Sequence, residues 1–208
     1  MITAASRPFH RGCARIRKNQ RVDLSRPSRQ PSRRVSSRSL LIVAALGAID
    51  AILTVALTPV TTSIALASPV GYALVGGVHL VLPAAAGLLL RSWTALPLTS
   101  FVTAALAFPF SVLGILLFPA LILPSLAIGL TIRATGCRWA SRGRWVLAAL
   151  SGAVTSYLIS LPVISPDLFS TSLLLAVLTA RVVSTGAAAA IAHALVAALT
   201  TAGIRPRG

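Results

Sequence analysis

From Thr171 to Gly203 the chain reads TSLLLAVLTARVVSTGAAAAIAHALVAALTTAG, and Arg181 is the one charged side chain in the run. About 20 apolar residues at 1.5 Å rise are enough to cross roughly 30 Å of hydrocarbon. Runs of this kind recur along the chain. Of the 208 residues, 56% are hydrophobic and only 11% are charged, against about 25% charged in a soluble domain. The sequence is that of an integral membrane protein.

Six helices are predicted. The first starts at Leu40 and runs to about Leu57, where Pro59 breaks it ahead of an irregular TTSIALASP. The second covers Val70 to Leu90, and the third, Trp93 to Ala107, is short and ends at Pro109. The fourth spans Phe110 to Ile132 and contains Pro119 and Pro124, which would kink it. The fifth runs from Trp145 to about Leu161, and the sixth takes some part of Thr171 to Gly203. Cytoplasmic loops carry the Lys and Arg excess. With the N-terminal tail inside, the inner connections hold Arg91, then Arg133, Arg138, Arg142 and Arg144, then Arg205 and Arg207, while the outer ones hold no basic residue. The expected fold is an all-α membrane protein, a bundle of six transmembrane helices with both termini cytoplasmic. Residues 40–204 form that domain, 205–208 a short basic end, and Trp93 and Trp145 fall where interfacial indoles belong.

Residues 1–39 differ in kind. Of the 19 basic residues, 11 precede Leu40, among Ser and Pro with few apolar side chains. Such a segment is expected to be disordered and to lie against anionic lipid, each charge contributing about 1 kcal/mol near the surface. The net charge of +16 thus belongs mostly to the tail, and no nucleic-acid partner follows from it. The run SRRVSS, with ALA at Ala65 to Ala67, imitates an export signal. The intervening apolar stretch is too long for one and contains Asp50.

Catalysis has little to draw on. Glu is absent and Asp occurs at Asp23, Asp50 and Asp167 only, so general acid–base work lacks its usual carboxylates. Cys13 and Cys137 have no metal-ligand spacing and read as free thiols. No phosphate-cradling GxxxxGK[ST] is present. The chain is expected to be no enzyme, with no cofactor and no metal.

In lipid, helices associate through small residues. The first helix offers Ala44 and Ala48, and Gly47 and Ala51, each pair four apart. The last offers Gly186, Ala190, Ala194, Ala198 and Ala202 in one unbroken series. Both faces are expected to pack against protein, in this chain or in a partner. Ionisable groups within the apolar zone are Asp50, His79, Arg181 and His193, and such groups are functional candidates by default. The histidines read as packing residues. Asp50 is a candidate intramembrane charge partner of Arg181. Counting back about 20 residues from Gly203 brings the outer boundary near Arg181, which places its guanidinium in the outer third, against the charge bias of every other loop. An anionic or carbonyl-bearing partner is therefore expected for it.

The pattern resembles the substrate-binding S components of energy-coupling factor (ECF) transporters, bacterial vitamin importers related to ABC systems. The likeness covers about Leu40 to Gly203. It rests on the six-helix plan, the Ala44/Ala48 motif, the run GYALVGGVHLVLPAAAGLLLRSWTALPLTSF and the ending ARVVSTGAAAAIAHALVAALTTAG. The last two look like the S components for thiamine or its hydroxymethylpyrimidine precursor. The resemblance implies a multi-pass protein of the bacterial inner membrane that binds one vitamin and works with a T subunit and two ATPases. It further implies T-subunit docking through the first helix at Ala44, Gly47, Ala48 and Ala51, and substrate contacts at Arg181. Tyr157 could stack on a flat ring and Asp167 could meet a cationic one. Two rival readings are a small proton-coupled secondary carrier titrating at Asp50 and a non-transport membrane scaffold.

Overall fold

The fold was taken from a computed structural model that describes residues 37–111, 113–136, 139, 142–161 and 170–203. The tail before Ser37, both cysteines, Asp167, Arg138 and the C-terminal Arg205 and Arg207 lie outside these residues. Among the described residues there are seven α-helices and no strand: α1 (Ser37–Ala67), α2 (Pro69–Val75), α3 (Val78–Leu90), α4 (Ala95–Ala107), α5 (Leu117–Ala134), α6 (Arg142–Ser160) and α7 (Thr171–Thr201). Short 3-10 turns at Phe108–Phe110 and Gly114–Leu116 join α4 to α5. Among the described residues, four segments are long and apolar enough to cross a membrane: α1, the stretch Pro69–Leu90, Gly114–Ala134 and α7. The chain is a multi-pass membrane protein. The segment Ala95–Phe110 is apolar but shorter, and α6 opens on Arg142 and Arg144.

Several helix ends differ from the sequence expectation. α1 begins at Ser37, inside the segment read as tail, and runs through Pro59 to Ala67 without a break. A proline removes one helix hydrogen bond, and nearby hydroxyls can restore polar contacts inside a membrane. Here Thr58 Oγ1 donates to Thr54 O at 2.8 Å, Thr62 Oγ1 to Thr58 O at 2.8 Å and Ser63 Oγ to Pro59 O at 2.9 Å. The helix ends eight residues later, where Ser68 caps the next one. Its hydroxyl accepts from Gly71 N at 3.2 Å, and Pro69 occupies the first helical turn.

The second predicted helix is two, interrupted at Gly76–Gly77, a junction called the elbow below. The fourth starts at Leu117 and not at Phe110. Pro119 therefore falls in its first turn, where no backbone donor is needed. Pro124 is truly internal, and Ser125 Oγ donates to Leu121 O and Ile122 O at 3.0 and 2.9 Å beside it.

Contacts along the helices fix their directions. Ile64 meets Gly71 and Thr54 meets His79, so α1 runs against the α2–α3 rod. Gly47 meets Thr99 and Asp50 meets Thr103, so α1 and α4 run alongside. Gly129 meets Trp93, Gly152 meets Ile128, and Trp145 meets His193 while Ser160 meets Arg181. Direction thus alternates from α4 through α5 and α6 to α7.

The packing is that of a protein in lipid. Most of the buried hydrophobic side chains are alanines, with Leu96 the largest fully enclosed. Large apolar groups such as Leu41, Ile52, Leu66, Ile115, Val183 and Ile191 point outward. Alanine lets backbones approach closely, and lipid tails accept the exposed leucines without cost.

The main core holds Leu80, Ala84, Ala85 and Leu88 of α3 against Ala188 and Ala192 of α7, with Ile128, Ile132 and Trp145 closing it. A gap of about 10 Å³ beside it, lined by Leu80, Ala84, Ile128 and Trp145 among others, has room for one water.

Candidate functional site

Two polar centres lie inside the bundle. The first surrounds Arg181, which is only 8% exposed. The elbow between α2 and α3 supplies one wall. Gly76 and Gly77 both keep right-handed helical angles (φ −58° and −70°), so their role is space and not backbone freedom. A Cβ on Gly76 would strike the Arg181 Nη1, and one on Gly77 would strike the hydroxyl and backbone of Ser184. Closeness lets Ser184 serve the bend. Its Oγ accepts from Gly77 N at 2.9 Å and donates to Leu74 O, so both backbone groups are satisfied by one side chain of α7.

The guanidinium then meets two other helices. Nη2 donates to Ser160 Oγ at the end of α6, 2.9 Å away, and that hydroxyl in turn donates to Ser156 O at 2.7 Å. The ring of Tyr72 on α2 lies 5.4 Å from Cζ, in cation–π range. Nε is buried without an acceptor. One turn on, Thr185 donates to the Arg181 carbonyl. Beside this group Ala73, Val177 and Ala180 form a small apolar cluster on which Val70, Leu173 and Tyr157 pack. Tyr157 and Arg181, two residues expected to meet substrate, are thus brought to one end of the bundle. Tyr72 and Ser160, which sequence reading did not assign to a site, join them. No local signal marks either, because each reaches Arg181 from another helix.

Asp50 is elsewhere. It is fully buried between α1 and α4, where Thr103 Oγ1 donates to its Oδ2 at 3.0 Å and its Oδ1 has no partner. The expected ion pair with Arg181 is not formed. Asp50 sits on the part of α1 that runs beside α4, whereas Arg181 faces the α2–α3 elbow and the end of α6. Thr103 also lies 3.3 Å from Gly47 O and 3.1 Å from Thr99 O. Four residues along α1, Thr54 Oγ1 and His79 Nδ1 are 3.0 Å apart. His193, the other histidine, sets its ring edge-on to Trp145 at 5.1 Å.

The docking residues on α1 divide. Gly47 is buried against α4, where a Cβ would come within 2.8 Å of Val102 and 3.1 Å of Thr99 O. Ala51 is buried in a core cluster with Ala104, Ala107, Leu117 and Leu121. Neither is free to meet another protein. Ala44 is exposed and Ala48 half-buried, so the outward pair is these two.

The far end of the bundle carries aromatic and basic groups together. Arg133 lies over the Trp93 ring at 4.8 Å, and Trp139 and Trp145 tilt together at 6.0 Å. Trp145 is not the lipid-facing anchor its position suggested. It is buried, and its indole N–H donates to Trp139 O at 3.1 Å. Among the described residues no group of His, Cys, Asp or Glu is arranged to hold a metal.

No protein-family model matches this chain, and no curated protein does. Among solved structures the chain is similar to one described as the crystal structure of an S-component of an ECF transporter. The TM-score is 0.72 at 19% identity, over 81% of this chain and 87% of that one. At that identity the likeness is one of fold: the chain folds as that S component does.

Proposed function

We propose that this protein is the substrate-binding S component of an ECF-type importer in the bacterial inner membrane. It captures a vitamin or vitamin precursor from outside and delivers it with a T subunit and two ATPases. The observation that carries the reading is the shared fold over most of both chains. Six crossings with both termini cytoplasmic accord with the alternating helix directions and with the Arg91 and Arg133 end, since inner loops collect basic residues. The Arg181 end then faces outward, and Arg181 and Tyr157 are the substrate-facing residues. Thiamine or hydroxymethylpyrimidine is the substrate class suggested by the sequence resemblance. The outward pair Ala44 and Ala48 is the docking face for the T subunit.

Mass spectrometry of the chain purified in detergent tests this directly. A small molecule retained by the wild type and lost on Arg181→Lys is the expected result. A chain that never retains a ligand, with uptake unaffected by its deletion, would remove the reading. Ala44→Leu with Ala48→Leu is expected to abolish uptake while leaving ligand binding intact.

One observation favours a second reading, a proton-coupled carrier: Asp50 is wholly enclosed with an unpartnered oxygen. That reading requires uptake without any ATPase and its loss on Asp50→Asn. Uptake that needs ATP hydrolysis excludes it.

A further inference from the structure

The contacts of Arg181 leave its Nε, and one of the two N–H groups of Nη2, without an acceptor. Gly76 closes off Nη1, Tyr72 covers one face, and Nη2 gives one hydrogen bond to Ser160. Nε, buried and without an acceptor, lies on the same edge as Nη2. These two nitrogens form the side-on fork of an arginine, which matches the two oxygens of a carboxylate or phosphate. Charge points the same way. The groups that touch the guanidinium are a hydroxyl, a phenol ring and a glycine, and the His79 imidazole, near enough to interact with it electrostatically, brings no negative charge either. A cation held in such a place calls for an anion.

The chain has little to supply one. Its acidic residues number three. Asp23 belongs to the N-terminal tail, Asp50 is held by Thr103 between α1 and α4, and Asp167 lies outside the described residues. Beside the fork, Tyr157 packs on Ala73, Val177 and Ala180, an apolar wall against which the body of a small molecule can rest.

We propose that the ligand taken at this end of the bundle carries an oxyanion, a carboxylate or phosphate, bound side-on by Nε and Nη2 of Arg181. The proposal rests on the importer reading but departs from the unphosphorylated thiamine and hydroxymethylpyrimidine class named there, on grounds of charge. A molecule whose only charge is a thiazolium or pyrimidinium would bring a second positive charge to an uncompensated one, whereas an oxyanion brings the missing charge.

Calorimetric titration of the full chain in a phosphate-free maltoside tests it with matched pairs differing chiefly in charge: nicotinate and nicotinamide, pantothenate and panthenol, thiamine phosphate and thiamine. In at least one pair the anionic member is expected to bind about 100-fold more tightly. Arg181→Lys keeps the charge but not the fork, and should weaken that binding at least about 10-fold with the ligand-free Tm retained. Equal binding within every pair that binds, or binding indifferent to Arg181→Lys, overturns the oxyanion and leaves the importer reading standing. Binding of none of the six probes also overturns it. The importer reading falls separately, when no small molecule of any charge co-purifies.

Two further arms address other anions. Native mass spectrometry showing a phospholipid held by the wild type and lost on Arg181→Lys would give the fork to a lipid phosphate. In an Asp167→Asn chain, Arg181→Lys should cost the same in Tm as it does in the wild type. A fall in Tm that is non-additive with Arg181→Lys would make Asp167 the internal counter-ion. Either result overturns a ligand oxyanion.

Discussion

α1 and α7 are both 31 residues long, both carry a small residue every fourth position, and they use that periodicity in opposite ways. On α1 the Gly47 and Ala51 pair is pressed against α4. On α7 the whole series Gly186, Ala190, Ala194, Ala198 and Ala202 is exposed. The buried stripe of α7 is another one: Val177, Ala180, Arg181, Ser184, Thr185, Ala188 and Ala192. The two helices teach that in an alanine-rich chain smooth faces do not tell inside from outside. The charged side chains inside the apolar runs do, with the hydroxyls beside them. Asp50 and Thr54 mark the inner face of α1, and Arg181, Ser184 and Thr185 that of α7. An unpaired polar group in hydrocarbon costs several kcal/mol, while an alanine is tolerated on either side.

The contrast can be broken by substitution, read as the change in Tm or in denaturant midpoint of the purified chain. Gly47→Leu should have the largest effect, a loss of roughly 3 kcal/mol, because its side chain has nowhere to go between Val102 and the Thr99 carbonyl. Ala190→Leu on the exposed face of α7 should change stability by less than about 0.5 kcal/mol. Equal effects at the two positions would show that the α7 series is covered after all. Next comes Gly77→Ala, expected to cost about 2 kcal/mol because a methyl there meets the Ser184 hydroxyl and backbone. A neutral result would mean that the elbow can widen without penalty.

Thr103→Val should follow at roughly 1 to 2 kcal/mol, since it takes the hydrogen bond from a carboxyl group that is fully enclosed. Were Asp50 to gain another donor in the variant, the loss would vanish, and a double-variant cycle with Asp50→Asn would expose it. Gly186→Ala should act in the opposite direction. Nothing lies within 4 Å of the added methyl, so the gain in helix propensity, up to about 1 kcal/mol, should appear as a slight rise in Tm.

Length and hydropathy made much of the architecture legible. The apolar runs located each helix, and Arg181 stood out because charge is rare inside them. Boundaries failed where side chains altered the backbone's hydrogen bonding. Pro59 reads as a break, yet α1 passes through it among Thr58, Thr62 and Ser63. The elbow at Gly76–Gly77 was hidden inside a stretch that looked like one span, because its partner, Ser184, is 107 residues away. The surroundings of Arg181 were out of reach for the same reason. Tyr72 comes from α2 and Ser160 from α6, and neither carries a pattern that points to α7. Asp50 and Arg181 invited pairing as lone opposite charges in one apolar domain. Helix rotation decided otherwise by turning Asp50 toward Thr103.

At 1.5 Å per residue, the 31 residues of α1 or α7 reach about 46 Å, half as long again as a hydrocarbon layer of about 30 Å. Leaning over to fit entirely inside would require about 50° from the bilayer normal, beyond the 0 to 40° found for spanning helices. Part of each rod therefore stands in the headgroup layer, and a membrane of different thickness would meet the protein with a different mismatch. In thin bilayers the mismatch grows, so the helices lean further and their ends project, whereas in thick ones they stand more upright and the ends are drawn in. Bilayer thickness is thus a lever on how far the ends of this protein reach into water, one that acts without touching a single side chain.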